Sequence, residues 1–258
     1  MTKLIVDIKE MSHPQNQKTY EGNLIENIKF SCDSGEIISI LGPSGAGKTT
    51  LLRIIAGLEK NYTGNIKLDN VDITKANRKI QVVFQDNKLF PWLTVNENLK
   101  FSQKKGGNSN IPDLLNKLKL NKKQQNDYIK NLSGGEEARV SLGRTFVDVP
   151  KVLLLDEPFM NLDVKTKKQI IEEVLTFHED NPETIIIMVS HSIDDCIAIS
   201  SKLYVYSAKP MKLVGLPFDN NDETKMSERK KEVEELILSL EESSYNKVTF
   251  SGSAALDK

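Results

Sequence analysis

The sequence predicts an α/β fold: a largely parallel sheet packed with helices, preceded by an antiparallel β region and interrupted by a helical insertion. Three observations carry this reading. First, the octapeptide Gly42-Pro43-Ser44-Gly45-Ala46-Gly47-Lys48-Thr49 follows a short apolar, β-branched run at 36–41 and precedes residues 50–56, apolar at helical spacing. Strand, glycine loop and helix therefore come in succession. Second, the continuous apolar runs 152–155 and 185–189 flank a helical pattern at 165–179, as expected of strands buried on both faces of a parallel sheet. Third, residues 4–8 and 25–32 alternate apolar and polar, as half-buried strands do.

The remaining elements follow in order. A polar turn is expected at 12–18, and Asp33-Ser34-Gly35 turns the chain into the glycine-loop strand. Gly57 is placed to end the first helix. Residues 61–65 are turn-rich, 66–68 read as an edge strand, and 81–85 as a further short strand ending at Gln85. Residues 90–131 change character: they are polar and lysine-rich, with Leu114, Leu115, Leu118 and Leu120 at helical intervals. They read as an inserted helical subdomain, about 88–148 with the helix at 136–147, carrying a loose surface loop at 104–110. At the C-terminus, 227–240 form an amphipathic helix with Val233, Leu236, Ile237 and Leu240 on one face. Residues 241–258 read as a mobile polar tail. The domain division is 1–215, then 216–258.

Composition bounds the function. A chain of 258 residues can bury a full core without staples. With 35 basic and 36 acidic side chains it has no electrostatic footprint for nucleic acid, and no such partner is expected. Cys32 and Cys196 match no metal or redox spacing and read as small buried hydrophobes in a reducing compartment. No apolar stretch approaches the ~18 residues a membrane span needs, and residues 1–7 lack a signal-peptide core. A cytoplasmic chain is expected, held at a membrane, if it works there, by a partner.

The chemistry starts at the octapeptide, which fits the phosphate-cradling pattern G-x-x-x-x-G-K-[ST]. A strand–loop–helix points backbone N–H groups and a helix N-terminus at phosphate oxygens. Lys48 can reach terminal phosphates, and the Thr49 hydroxyl can ligate magnesium. Asp156-Glu157 closes the 152–155 strand. A carboxylate at the C-terminal end of a parallel strand faces the crevice where ligands bind. There Asp156 can hold magnesium and Glu157 can orient or deprotonate an attacking water.

With Leu132-Ser133-Gly134-Gly135-Glu136 added, the chain resembles the ATP-binding subunits of ABC transporters over roughly residues 1–215. The motifs run in that family's order: the glycine loop from Gly42 to Thr49, a glutamine at Gln85, the signature at 132–136, the strand end at 153–158, an Asn161-Leu162-Asp163 turn, and a histidine at His191. The resemblance implies a P-loop NTPase (RecA-like) core with an antiparallel β subdomain and an inserted α-helical subdomain. It also implies ATP and Mg2+ as cofactors. Tyr20 would stack on adenine. The loop residues Gly42, Pro43, Ser44, Gly45, Ala46, Gly47, Lys48, Thr49 and the following Thr50 would hold the phosphates. Thr49, Gln85 and Asp156 would hold the metal. Glu157, His191 and Gln85 would be catalytic. Ser133, Gly134, Gly135 and Asp163 would reach ATP bound by a second copy, so that two chains, head to tail, form two sites.

The segment Gln85-Asp86-Asn87-Lys88-Leu89-Phe90-Pro91-Trp92-Leu93-Thr94-Val95 carries the single Trp beside Phe90. It is expected either to contact transmembrane permease subunits or to plug the helical subdomain. Its wording resembles importer ATPases of the nitrate, sulfonate and taurine group, and some importers of vitamin precursors; such systems use a separate solute-binding protein. Two departures stand out. Glu136 replaces the family's usual Gln, and its carboxylate either faces the partner's phosphates or turns back as a capping-box residue after Ser133. Ser192 replaces a common Asp after the histidine. An active ATPase is expected; a regulatory ATP-binding module with weak hydrolysis is the alternative. No guanine-reading Asn-Lys-x-Asp occurs, and the span from Gln85 to Ser133 is too short for the coiled-coil arms of chromosome-maintenance ATPases.

Overall fold

A computed structural model of the chain describes residues 1–12, 22–75, 79–103, 110–207, 210–219 and 230–238, with the side chains of 214–219 excepted. Tyr20, the turn expected after Ser12, the loop at 104–109, Leu240 and the tail at 241–258 lie outside the described residues. The chain runs β1 (Lys3–Ser12), β2 (Asn23–Asp33), β3 (Ile37–Leu41), α1 (Lys48–Ile55), β4 (Thr63–Leu68), β5 (Val71–Asp72) and β6 (Ile80–Val83). It continues through α2 (Val95–Ser102), α3 (Ile111–Lys117), α4 (Lys122–Gln125), α5 (Gly134–Phe146), β7 (Val152–Asp156), α6 (Val164–Asp180), β8 (Ile185–Ser190), α7 (Ile193–Ile199), β9 (Lys202–Tyr206) and β10 (Leu213–Asp219). A helix at 230–238, α8, follows.

Two sheets result. The antiparallel one has the order β2-β1-β4-β5; the second has the order β10-β9-β3-β8-β7-β6 and is parallel except for β10. The central parallel strands explain their own sequences. Ile38, Ile40, Val152, Leu154, Ile185, Ile187 and Val189 face a core shared with α1 and the antiparallel sheet. Their neighbours Ile37, Leu41, Leu153, Leu155, Ile186 and Met188 face a second core with α5, α6 and α7. Both faces are buried, so alternation is replaced by unbroken apolar runs in β7 and β8 and by a run broken only by buried Ser39 in β3. A third cluster, including Val95, Leu99, Leu115, Leu118, Leu120 and Val140, lies within α2–α5. Val233, Leu236 and Ile237 of α8 pack on the second core, and Lys230 Nζ pairs with exposed Asp194 of α7 at 2.6 Å.

Three local expectations change. The strand read at 66–68 is not an edge: β4 lies between β1 and β5, and a two-residue β5 leaves no periodic signal to find. The strand read as ending at Gln85 stops at Val83, leaving Gln85 in the outgoing loop. The first helix starts at Lys48 rather than Thr50, so Lys48 and Thr49 belong to its first turn. That helix ends as expected. Gly57, at φ +71°, donates to Ile54 O at 2.9 Å, and Leu58 donates to Arg53 O at 2.9 Å, the paired bonds of a Schellman cap. Cys32 and Cys196 are both buried free thiols.

Candidate active site

Parallel register brings four strand ends together. Leu41 pairs with Ser190, Asp156 with Val189, and Val83 with Leu155, so the residues that follow β3, β6, β7 and β8 share one edge. The crevice beyond that edge is where an open parallel sheet binds its ligands. A cavity of about 600 Å³ opens there, lined among others by Ser44, Gly45, Gly47, Lys48, Thr49, Thr50, Gln85, Glu157 and His191.

The loop prepares for anions by leaving donors open. Gly47, at φ +109°, takes the N-cap position of α1, which has no side-chain cap and no acidic residue in its first turn. The helix N-terminus thus keeps its free N–H groups and its positive dipole end. A Cβ on Gly42 would sit 2.9 Å from Tyr206 O, whereas one on Gly45 would meet nothing within 4 Å. The first glycine is demanded by packing; the second keeps the mouth of the loop clear. Ala46 is fully buried beneath it.

The charged groups form one connected set. Lys48 Nζ donates to Gly42 O at 2.7 Å and Pro43 O at 3.0 Å and lies 3.6 Å from Glu157 Oε1. Burial pulls the Lys48 ammonium below the ordinary lysine range, against the attraction of Glu157. Thr49 Oγ1 donates to Asp156 Oδ1 at 2.9 Å. Burial raises the Asp156 carboxyl above the usual range, opposed by that hydrogen bond. Glu157 Oε2 accepts from His191 Nδ1 at 2.9 Å, from Ser190 Oγ at 3.2 Å and from the His191 amide at 3.4 Å. Glu157 is also held at φ +48°, a sparsely populated region for a non-glycine residue that persists where surrounding contacts over-determine it. Thr49 Oγ1 and Asp156 Oδ1 are adjacent hard oxygen donors, a set that suits Mg2+.

The signature residues stand elsewhere. Ser133, Gly134, Gly135 and Asp163 are not among the residues lining this cavity. Ser133 caps α5, and its two glycines differ in role: a Cβ on Gly134 would meet nothing within 4 Å, but one on Gly135 would fall 2.4 Å from Thr166 Cγ2 on α6. Asp163 caps α6, accepting from the Lys165 and Thr166 amides at 3.0 Å and from Thr166 Oγ1 at 2.6 Å. The two orientations open to Glu136 resolve in favour of the capping box. Ser133 N donates to Glu136 Oε2 at 2.7 Å, and Gln124 Nε2 donates to Oε1. These bonds hold its pKa below the usual range. Ser192 caps α7 through Asp195 N at 3.3 Å.

Sequence reasoning missed Ser190, which donates to Glu157, and several residues that line the cavity. Ser190 was hidden at the end of an apolar strand pattern, although its place directly before His191 is a usable signal. Arg53 lies one helical turn beyond Thr49 and lines the cavity with Leu24 and Met160. Met160 Sδ accepts from Gln85 Nε2 at 3.4 Å.

Comparisons with known proteins identify the family. The ABC transporter family model matches residues 25–160. The aliphatic sulfonates import ATP-binding protein SsuB of Bacillus cereus is 38% identical over 213 residues, 81% of this chain and 84% of that protein. The spermidine/putrescine import ATP-binding protein PotA of Pasteurella multocida is 36% identical over 231 residues, covering 86% of this chain and 61% of that one. Among solved structures, a dimeric post-hydrolysis state of the ATP-binding cassette MJ0796 bound to ADP and Pi superposes with a TM-score of 0.69 at 27% identity, over 86% of this chain and 100% of that one. The chain belongs to the ABC transporter family. It is an ATP-binding, ATP-hydrolysing subunit with the P-loop NTPase fold.

Proposed function

We propose that this subunit drives an importer of small organic solutes, of the sulfonate, nitrate and taurine kind or a vitamin precursor, and that it works as a head-to-tail homodimer. Each ATP would lie between the loop from Gly42 to Thr49 of one copy and Ser133, Gly134 and Gly135 of the other. Thr49, Asp156 and Gln85 would hold Mg2+, which when bound neutralises phosphate charge. Lys48 would exchange its carbonyl partners for phosphate oxygens. Glu157 would take the proton of the attacking water, while His191 holds Glu157 through Nδ1. Asp163 would couple the two sites, and Tyr20 would stack on adenine. Most of the catalysis is positioning and charge stabilisation.

The observation that supports this most is the separation within one chain. The open phosphate loop and the open glycine face at Gly134 belong to different parts of the fold, so each half-site needs a partner copy. The partner permease would dock near Gln85–Leu93, where Trp92 is 68% exposed and Phe90 packs on it at 5.5 Å. Phe101, 65% exposed and 4.6 Å from Phe90, extends the same patch. No helix among the described residues is long and apolar enough to cross a membrane; the chain would sit on the cytoplasmic face of one, held by the permease and served by a separate solute-binding protein. The ATPase unit would span 1–215, with its helical subdomain at about 88–148.

The test is Glu157→Gln in the full-length chain. ATP binding should persist while turnover falls by at least ~10²-fold, the usual worth of a general base. Turnover within a few-fold of wild type would end the role given to Glu157.

A further inference from the structure

We infer that Arg144 and Ser141 are positioning residues of the ATPase: together they latch the strained turn at Asn87 and Lys88 onto α5. The inference rests on the role proposed above for Gln85.

Asn87 and Lys88 are consecutive non-glycine residues in the left-handed region, at φ +54° and +44°. Such a pair is costly for residues with a Cβ and survives only where neighbours enforce it. The carbonyls of both residues are held by one helix. Ser141 Oγ donates to Asn87 O at 3.1 Å, and Arg144 Nη1 donates to Lys88 O at 2.7 Å. The Arg144 guanidinium also reaches Ser102 Oγ on α2 at 3.4 Å and lies 5.0 Å from the centre of the Phe90 ring. Downstream, fully buried Asn98 grips Phe90 in both directions, accepting from its amide at 2.9 Å and donating to its carbonyl at 3.1 Å. Two anchors therefore frame the turn. Asn98 holds its exit, and the α5 pair holds its strained centre, two residues beyond Gln85.

The consequence follows from where α5 begins. Its N-cap is Ser133, and its body carries Ser141 and Arg144. A shift of α5 is thus passed directly to the Asn87–Lys88 backbone, and through it to Gln85 on one side and to Phe90 and Trp92 on the other. An arginine suits this task because its planar fork satisfies a carbonyl, a hydroxyl and an aromatic face at once; a lysine is a point charge and cannot. Without the latch, the turn relaxes toward right-handed or extended backbone and Gln85 loses its fixed distance from the crevice.

The test uses the full-length chain and its single tryptophan, Trp92. Arg144→Lys keeps the charge but loses the fork. It should lower kcat roughly tenfold at unchanged KM for ATP, since a misplaced catalytic group costs rate without removing nucleotide contacts. It should also lower the fluorescence anisotropy of Trp92. Adding Lys88→Gly to Arg144→Lys should restore both, because glycine holds a left-handed conformation without enforcement. A merely structural role would lower the Tm of Arg144→Lys and leave kcat and the rescue flat. Unchanged anisotropy, unchanged kcat, or a loss that Lys88→Gly does not reverse overturns the inference. Gln85→Ala, assayed alongside, separates the readings: if it leaves kcat intact, the role given to Gln85 fails, while the anisotropy still reports on the latch.

Discussion

Glu173 makes the stability of this protein fall with pH in a way one substitution should erase. The residue lies on α6, is 9% exposed, and neither carboxylate oxygen has a hydrogen-bond partner among the described residues. Burial pushes its pKa up to about 7, against the pull of the Arg139 guanidinium. In the unfolded chain a glutamate titrates near 4.5. Below that value both states carry the proton and the group contributes no pH dependence. Between about 4.5 and 7 the unfolded chain has released its proton and the folded chain has not, so stability drops by ~1.4 kcal/mol per pH unit. Above about 7 the loss is complete, at about 3 kcal/mol. Glu173→Gln replaces the carboxyl by a neutral amide of the same shape and removes the ionisation altogether. At pH 8 the variant should be more stable by about 3 kcal/mol, a Tm rise of roughly 5–10 °C for a chain of this size. At pH 4.5 the two proteins should melt within about 1 kcal/mol of each other. The assay is thermal or urea denaturation of both proteins from pH 4.5 to 8.5. A stability difference that does not change with pH, or a variant less stable at pH 8, refutes the reasoning.

Two further substitutions probe the signature segment. Gly135→Ala would force a Cβ to 2.4 Å from Thr166 Cγ2, and Thr166 in turn holds Asp163; ATP turnover should fall at least roughly tenfold, with nucleotide affinity of the isolated subunit unchanged, as read by titration calorimetry. Glu136→Gln keeps the capping box, since an amide oxygen can still accept from Ser133 N, so turnover should stay within about threefold of wild type. A tenfold rise would show instead that the wild-type carboxylate reaches the partner's phosphates.

How much was legible follows from how much of each feature is written in side-chain type. β3, β7 and β8 could be read because burial on both faces leaves Ile, Leu, Val and Met no polar alternative. The glycine loop and Asp156-Glu157 could be read because phosphate and magnesium chemistry restricts which residues serve. β5 could not, since two residues carry no period. The extent of β6 was overread because Phe84 continues the apolar run of Val82 and Val83 after the ladder has ended. The orientation of Glu136 was undetermined because a capping box and an inward charge share one sequence; the bonds from Ser133 N and from Gln124, twelve residues earlier on α4, decide it. The Arg144 latch was invisible for a deeper reason. Its main partner is the Lys88 carbonyl, and a backbone acceptor leaves no mark on residue identity.

The same distinction explains why Glu157→Gln is the informative change at the catalytic centre. Glu157 is held in the left-handed region, and its carboxylate accepts three hydrogen bonds from Ser190 and His191. A glycine there would relax the backbone and remove the side chain together, so a lost activity could come from either. Glutamine carries the same Cβ, meets the same backbone penalty, and keeps an oxygen for the Ser190 and His191 donors. What it removes is the negative charge beside Lys48 and the capacity to take a proton from water. Lys48 retains the carbonyls of Gly42 and Pro43 at 2.7 and 3.0 Å, so the loop keeps its shape. The variant therefore isolates proton acceptance from strand-end geometry, and a subunit that still binds ATP without turning it over assigns the chemistry to that carboxylate.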